Sequence, residues 1–179
     1  MNSLILVNRQ HALPEDCPAR KLVPVHPDYP HVLLEEEAAR QLNRLMKGLD
    51  GWEFILPVSG WRSMEEQTEL YLQSLRENGR EFTEKYVAFP GCSEHQTGLA
   101  IDLGLIGPNV DFIRPDFPDE GICRLFRQRM AAYGFVERYP AGREDVTGIA
   151  YEPWHFRYVG VPHAEKMARR GLTLEEYLS

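Results

Sequence analysis

Residues 93–102 have the sequence SEHQTGLAID, and the rest of the chain is expected to be organised around them. A second stretch, residues 151–158, has the sequence YEPWHFRY. Each stretch contains a histidine and acidic side chains. Catalytic zinc is bound by three such groups and keeps a fourth position open for water, and a further glutamate can accept a proton from that water. The two stretches together predict a zinc hydrolase.

The spacing within the first stretch requires the chain to turn. His95 and Asp102 are seven positions apart, so one straight strand would point their side chains to opposite faces. We expect His95 to end a loop and Asp102 to lie on a strand over residues 99–103. Gly98 would let the backbone fold back, so that both side chains meet one ion.

The second stretch predicts a bend that leads into a strand. Glu152 and His155 are three positions apart, and Pro153 between them argues against a helix interior. We expect a strand over residues 154–159, with His155 as a metal ligand and Glu152 close enough to accept a proton from the attacking water.

Simpler interpretations exist for each residue taken alone. A lone histidine or aspartate is usually structural, and a lone glutamate is usually a surface carboxylate. Cys92 is a rival ligand because its spacing to His95 is typical of metal sites, but Cys17 and Cys123 are distant in sequence. The prediction depends on the two motifs occurring together.

At this point the sequence resembles a known family, the zinc D-alanyl-D-alanine peptidases of the VanY/VanX group. Residues 93–102 match the signature S-x-H-x-x-G-x-A-x-D, and residues 152–155 match E-x-W-H. The form EPWHFRYVG looks like the VanY carboxypeptidase branch, which includes the bifunctional VanXY D,D-dipeptidase/D,D-carboxypeptidases, and is less like the strict VanX dipeptidases, which carry an aromatic residue where Pro153 stands. Because no membrane anchor is seen, the soluble VanXY type is the most similar. Residues 59–67, SGWRSMEEQ, resemble the family segment S-x-Y/W-R-S-x-x-x-Q.

The resemblance implies a role for each matching side chain. His95, Asp102 and His155 would hold Zn²⁺. Glu152 would be the general base, and Arg62 would polarise the scissile carbonyl and stabilise the oxyanion. The candidate substrate-binding residues are Ser93, Gln67 and Trp154.

The pattern of elements predicts an α+β fold, a small antiparallel sheet flanked by helices, and the family's Hedgehog/D,D-peptidase-like zinc fold agrees. We expect one zinc D,D-peptidase domain over residues 1–179, with an extended N-terminal arm over residues 1–32. Strands are predicted at residues 4–7, 53–58 and 135–138, and helices at residues 33–48, 122–132 and 162–170. Ser63 and Thr173 are expected to begin two further helices with capping boxes, the first ending at Gly79. Residues 104–120 are predicted to form a long loop at the mouth of the site.

Composition limits the possible partners. The chain has 179 residues and a formal net charge of −7, which disfavours non-specific binding to nucleic acid. No apolar stretch approaches the length of a membrane span, and residues 1–9 lack the features of a signal peptide, so a cytoplasmic protein with no membrane partner is expected. The oligomeric state is not predicted.

The expected reaction is zinc-dependent hydrolysis of the terminal D-Ala-D-Ala amide. The substrate would be the free dipeptide, a muramyl-pentapeptide cell-wall precursor, or both, and the resemblance implies a contribution to glycopeptide resistance. The alternatives are an L,D-carboxypeptidase or murein endopeptidase of the same zinc group, and a non-catalytic module that binds peptidoglycan. A binding module would have no need for a base such as Glu152.

Overall fold

The computed structural model describes residues 3–14, 20–108 and 110–179. Short 3₁₀ turns cover Gly51–Glu53, Glu94–Thr97 and Ala131–Tyr133. The strands and helices are, in chain order, β1 (Leu22–Pro24), β2 (Leu33–Glu35), α1 (Glu36–Lys47), β3 (Ile55–Ser59), α2 (Met64–Tyr86), β4 (Ala100–Leu105), α3 (Gly121–Met130), β5 (Phe135–Tyr139), α4 (Glu144–Thr147), β6 (Glu152–Tyr158), α5 (Val161–Arg170) and α6 (Leu174–Leu178). The main sheet has four antiparallel strands in the order β3–β4–β6–β5, and β1 pairs with β2 in a second, two-stranded sheet. The predicted α+β class with a small antiparallel sheet is confirmed.

Strand β4 lies inside the main sheet, and the side chains on its two faces have different surroundings. Ile101 and Leu103 belong to the main hydrophobic core, together with Phe156 of the neighbouring strand β6. Asp102 lies between them in sequence and therefore points to the opposite face, because side chains alternate along a strand. The sheet thus separates the apolar core on one side from the acidic side chain of the candidate site on the other.

Helix α1 contributes an apolar stripe to the core. Leu42 and Leu45 are buried in the same cluster as Ile101. Glu35 precedes the helix, and its carboxylate accepts hydrogen bonds from the backbone N–H groups of Glu37 and Ala38. Burying each large apolar side chain stabilises the fold by about 1.5–3 kcal/mol.

The predicted strand at residues 4–7 is wrong, for a reason visible in the packing. The carbonyl oxygens of Ser3 and Ile5 accept hydrogen bonds from Nη2 of Arg157 at 3.0 and 2.8 Å. A buried guanidinium, rather than a neighbouring strand, therefore satisfies part of this backbone.

The predicted helix at residues 33–48 begins later than expected. Residues 33–35 pair with β1 as strand β2, and the helix starts at Glu36. The capping boxes at Ser63 and Thr173 are confirmed.

The predicted end of a helix at Gly79 agrees with the backbone. Gly79 has φ 79° and ψ 172°, which are not helical values, so α2 consists of two helical segments that meet at a kink there. The second segment turns back on the first, so that the hydroxyls of Ser74 and Thr83 lie 2.8 Å apart.

In the part of the chain that the structure describes, no helix is both long enough and apolar enough to cross a bilayer. Residues 1, 2 and 15–19 of the predicted arm, and residue 109 of the predicted loop, lie outside the described residues. A single domain over residues 1–179 stays a prediction.

Candidate active site

His95 lies in the 3₁₀ turn immediately before β4. The turn ends at Gly98, whose φ of 70° is in the left-handed region that residues with a Cβ adopt only at a cost. A Cβ at this position would also lie 2.8 Å from a side-chain carbon of Leu22. The chain therefore reverses at Gly98, as the sequence predicted, and His95 returns to the face of the sheet on which Asp102 lies.

A backbone carbonyl orients the ring of His95. Its Nδ1 donates a hydrogen bond to the carbonyl oxygen of Gly60 at 2.7 Å. Nε2 is then the nitrogen that carries a lone pair, and it lies 3.2 Å from Oδ2 of Asp102. Gly60 has no space for a side chain, because a Cβ there would lie 2.3 Å from the carbonyl oxygen of Leu33.

Strand register brings Asp102 and His155 together. The two residues are direct partners in the antiparallel pairing of β4 with β6. Side chains at such positions start about 4.5–5.5 Å apart on one face of the sheet. His155 Nδ1 lies 2.9 Å from Asp102 Oδ1, and both residues are buried.

These three side chains fit a zinc ion. One donor atom from each of His95, Asp102 and His155 lies within 4.8 Å of the others. Zinc–ligand distances of about 2.0–2.2 Å place tetrahedral ligands roughly 3.4 Å apart, and two imidazoles with one carboxylate suit a catalytic zinc that keeps an open position. The rival ligand Cys92 is not in this cluster and lines two other cavities.

Glu152 reaches the cluster through an irregularity in β6. In a regular strand Glu152 and His155 would point to opposite faces. The register between β5 and β6 shifts between Glu137 and Tyr139, and such a bulge re-aims side chains. Glu152 Oε2 consequently lies 3.8 Å from His155 Nδ1. Burial raises the pKa of Glu152 to about 8, and the negative charge of Asp102 acts in the same direction.

Arg62 enters the site from the junction between β3 and α2. Its Nη2 lies 3.7 Å from Asp102 Oδ2, and its Nη1 donates to Gln67 Oε1 at 2.9 Å. Gln67 is fully buried, and its Nε2 donates to the carbonyl oxygen of Ala88 at 2.8 Å. Both ends of the Gln67 amide are thus engaged within the protein, which makes Gln67 a support for Arg62. Its contact with substrate stays a prediction.

A cavity of about 320 Å³ opens over these groups. Ser93 and Trp154 line it, as does the exposed ring of Phe112 from the loop after β4. Ser93 precedes the 3₁₀ turn but makes no side-chain capping hydrogen bond to it. Sequence reasoning missed Tyr139, which lines the cavity with its ring centroid 4.9 Å from that of His155.

Sequence reasoning also missed a buried ion cluster behind the site. Arg138 Nε and Arg157 Nη1 each lie 2.8 Å from Oε1 of Glu94, and all three side chains are fully buried. Although burial alone would raise the pKa of Glu94, the two guanidinium groups hold it well below its usual range. Because Glu94, Arg138 and Arg157 are far apart in the sequence, no local pattern predicts that they form ion pairs. However, arginines inside two predicted strands were a sign that buried carboxylates must lie nearby.

Comparison with known proteins identifies the family. A family model described as VanY, D-alanyl-D-alanine carboxypeptidase, matches residues 31–161. The chain belongs to the VanY family. The bifunctional D-Ala-D-Ala dipeptidase and D-Ala-D-Ala carboxypeptidase VanXYC of Enterococcus gallinarum is 46% identical over 179 residues, which cover 99% of this chain and 94% of that protein.

Solved structures of VanY-type proteins have the same fold. The vancomycin-resistance D,D-dipeptidase VanXYg, in complex with a D-Ala-D-Ala phosphinate analogue, matches with a TM-score of 0.96 and 49% identity, over 99% of this chain and 70% of that one. A variant of the vancomycin-resistance D,D-pentapeptidase VanY in complex with Zn(II) matches with a TM-score of 0.84 and 31% identity, over the whole of both chains. The L,D-carboxypeptidase LdcB matches with a TM-score of 0.80 and 33% identity, over 99% of this chain and 86% of that one.

Proposed function

We propose that this VanY-family protein is a zinc-dependent D,D-peptidase that hydrolyses the terminal D-Ala-D-Ala amide bond. The observation that supports this most directly is the convergence of a buried His95–Asp102–His155 cluster with Glu152 and Arg62 on one cavity. A peptidoglycan-binding module would gain nothing from a buried glutamate beside a metal cluster, because binding alone transfers no proton.

The proposal assigns a role to each group. His95, Asp102 and His155 would hold a zinc ion, which when bound would supply a Lewis acid and lower the pKa of a bound water to about 7. Glu152 takes a proton from the attacking water and returns it to the nitrogen of the leaving D-alanine, and its place beside the cluster suits both transfers. Arg62 is positioned by Gln67 to stabilise the negative charge that develops on the carbonyl oxygen.

The size of the site suits a short peptide end. Its volume of about 320 Å³ lies at the lower end of the range for small-molecule sites. We infer that the two terminal D-alanine residues occupy the cavity and that Ser93 and Trp154 contact them. The free dipeptide and a pentapeptide precursor share this end, so both are proposed substrates, as the likeness to the bifunctional VanXYC supports.

A cytoplasmic location and a contribution to glycopeptide resistance are part of the proposal. The contribution to resistance is supported by the likeness to the vancomycin-resistance D,D-dipeptidase VanXYg, and the location follows from the sequence prediction. Fractionation of expressing cells tests the location. Expression in a glycopeptide-sensitive host that makes D-Ala-D-Ala precursors beside a second kind of precursor tests the contribution, which would appear as a raised inhibitory concentration.

An L,D-carboxypeptidase is the second candidate, because LdcB has the same fold at 33% identity. The decisive experiment measures D-alanine release from D-Ala-D-Ala, from a muramyl-pentapeptide and from an L,D-terminated tetrapeptide. Each is assayed with the zinc-loaded protein, with a chelator, and after zinc is restored. Chelator-sensitive release from the first two substrates is the expected result. Release from the tetrapeptide alone would overturn the D,D assignment, and no release from any substrate would overturn the proposed enzyme.

A further inference from the structure

Two buried polar atoms face each other behind the metal cluster. His155 Nε2 and Glu94 Oε2 lie 3.5 Å apart. Neither atom has a hydrogen-bond partner at normal distance and angle among the described residues, and both side chains are at least nine-tenths buried. Because unsatisfied buried polar atoms are costly, this facing pair calls for an explanation.

The chemistry of imidazole explains why the pair belongs together. A neutral ring has one nitrogen with a lone pair and one with a proton. His155 Nδ1 lies on the side of Asp102 and Glu152, so it is the nitrogen that would bind the metal. Nε2 must then carry the proton, and Glu94 Oε2 is the acceptor in front of it. His95 has the equivalent support from the carbonyl of Gly60.

Glu94 is itself held in place by charge. Its other oxygen, Oε1, is shared by the guanidinium groups of Arg138 and Arg157, which leaves Oε2 directed at His155. Arg138 donates two further hydrogen bonds to Glu175 of α6, at 2.8 and 2.6 Å. The carboxylate is therefore fixed from the side away from the metal.

We propose that Glu94 is a positioning residue for the metal centre, which accepts the Nε2 proton of His155 and so presents Nδ1 as the ligand atom. The inference rests on the metal centre of the proposed function. It adds that the metal affinity is set partly by a residue that is not itself a metal ligand, since removing a partner of this kind typically lowers metal affinity by about 10–100-fold.

The test is a pair of matched variants, Glu94→Asp and Glu137→Asp. The first keeps the negative charge between the two arginines but withdraws the carboxylate by one methylene from His155. The second makes the same change in another largely buried glutamate, which accepts from Arg127 Nε at 2.8 Å on the same sheet. Zinc affinity is measured by competition with a chromophoric chelator, and folding by circular dichroism.

Glu94→Asp is expected to bind zinc about 10–100-fold more weakly, while Glu137→Asp stays within twofold of the unmodified protein. A folded Glu94→Asp variant with unchanged zinc affinity would overturn the proposal. Equal losses in both variants would also overturn it, because they would show a general effect of shortening buried glutamates.

Nitrogen-15 spectra of the zinc-loaded protein decide the matter if Glu94→Asp does not fold. The expected signal is a proton on Nε2 of His155, protected from solvent exchange and shifted downfield by a charged acceptor. A proton on Nδ1, or an exchanging Nε2 proton, would overturn the proposal. Neither measurement involves turnover, so a protein that binds zinc without releasing D-alanine would defeat the proposed function and leave this inference standing.

Discussion

Glu94 and Glu152 are both buried glutamates close to His155, yet their surroundings suit them to opposite tasks. Arg138 and Arg157 hold the pKa of Glu94 well below its usual range, so it stays ionised and cannot act as a proton carrier. Burial raises the pKa of Glu152 to about 8. Two carboxyl groups whose environments separate their pKa values in this way divide the work between support and proton transfer.

Replacing Glu152 by glutamine tests the proton-transfer role. Glutamine keeps the shape of the side chain but cannot accept the proton, so kcat for D-alanine release should fall by about 10²–10⁴-fold. Zinc stoichiometry by elemental analysis should be unchanged. Loss of the metal together with the activity would show that Glu152 has a structural or ligating role instead.

The variant Arg62→Lys tests whether the positive charge of Arg62 is sufficient or whether its planar guanidinium group is required. Lysine keeps the positive charge but lacks the planar fork, so it cannot hold Gln67 and reach the substrate carbonyl at the same time. We expect kcat to fall by about 10²–10³-fold with zinc content unchanged. Arg80→Lys, at an exposed position of α2, is the control. Equal rates for the two variants would contradict the assigned role.

Single residues were predicted from sequence where one local motif contains them. The clustering of His95, Asp102 and His155 was predicted because each stands in a short motif with a recognisable donor pattern, and their role as metal ligands stays a prediction. Glu94 is adjacent to His95 in the sequence, but its role depends on its contact with Arg138. Only the tertiary fold brings these two residues together.

At the scale of elements, the approach of β2 to the segment after β3 is what places His95. The backbone N–H of Trp61 donates to the carbonyl oxygen of Leu33 at 2.7 Å, and Gly60 lies against the same carbonyl. Strand β2 and the segment after β3 can approach this closely only because Gly60 has no side chain. The carbonyl of Gly60 is then available to orient His95.

Gly60→Ala should therefore affect both stability and the metal site. The added Cβ would lie 2.3 Å from the Leu33 carbonyl oxygen, so β2 and the segment after β3 must move apart. This should lower the free energy of unfolding by about 1–3 kcal/mol. Denaturant unfolding and zinc competition measure the two effects. Gly107→Ala is the matched control, because a Cβ at Gly107 meets no atom within 4 Å. If Gly60→Ala unfolds at the same denaturant concentration as that control, the close approach does not constrain the fold.

Elements with local signals were predicted well, and those that depend on distant partners were not. The capping boxes at Ser63 and Thr173 are encoded within four residues and were found. Strands β1 and β2 have only three residues each and are stabilised by each other, so no periodicity reveals them. The helical break at Gly79 was also predicted, because glycine is a local signal, whereas the contact between Ser74 and Thr83 across the break depends on the fold.

At the scale of the whole molecule, metal binding should be coupled to folding. An ion that binds only the native state stabilises it by about 2.7 kcal/mol at 100 times its dissociation constant. For a chain of this length, chelation should lower Tm by roughly 5–11 °C, and added zinc should restore it. Scanning calorimetry measures the shift.

Two histidine variants make this prediction specific. His155→Ala should abolish the chelator-dependent shift in Tm. His163→Ala should retain it, because His163 bonds to Tyr177 and lies outside the metal cluster. A shift that survives in His155→Ala would point to another metal site.

The two buried arginines also bear on when the protein becomes competent during synthesis. Arg157 donates hydrogen bonds to the carbonyls of Ser3 and Ile5, and Arg138 donates to Glu175. Both arginines also contact the carboxylate of Glu94, so this cluster connects positions that are far apart in sequence. Contacts between such remote positions form slowly, because a long loop must close first. A nascent chain already holds all three candidate zinc ligands before Glu175 has been added. The three candidate ligands are therefore synthesised before Glu175, and full metal affinity is expected only once Glu175 has joined Arg138.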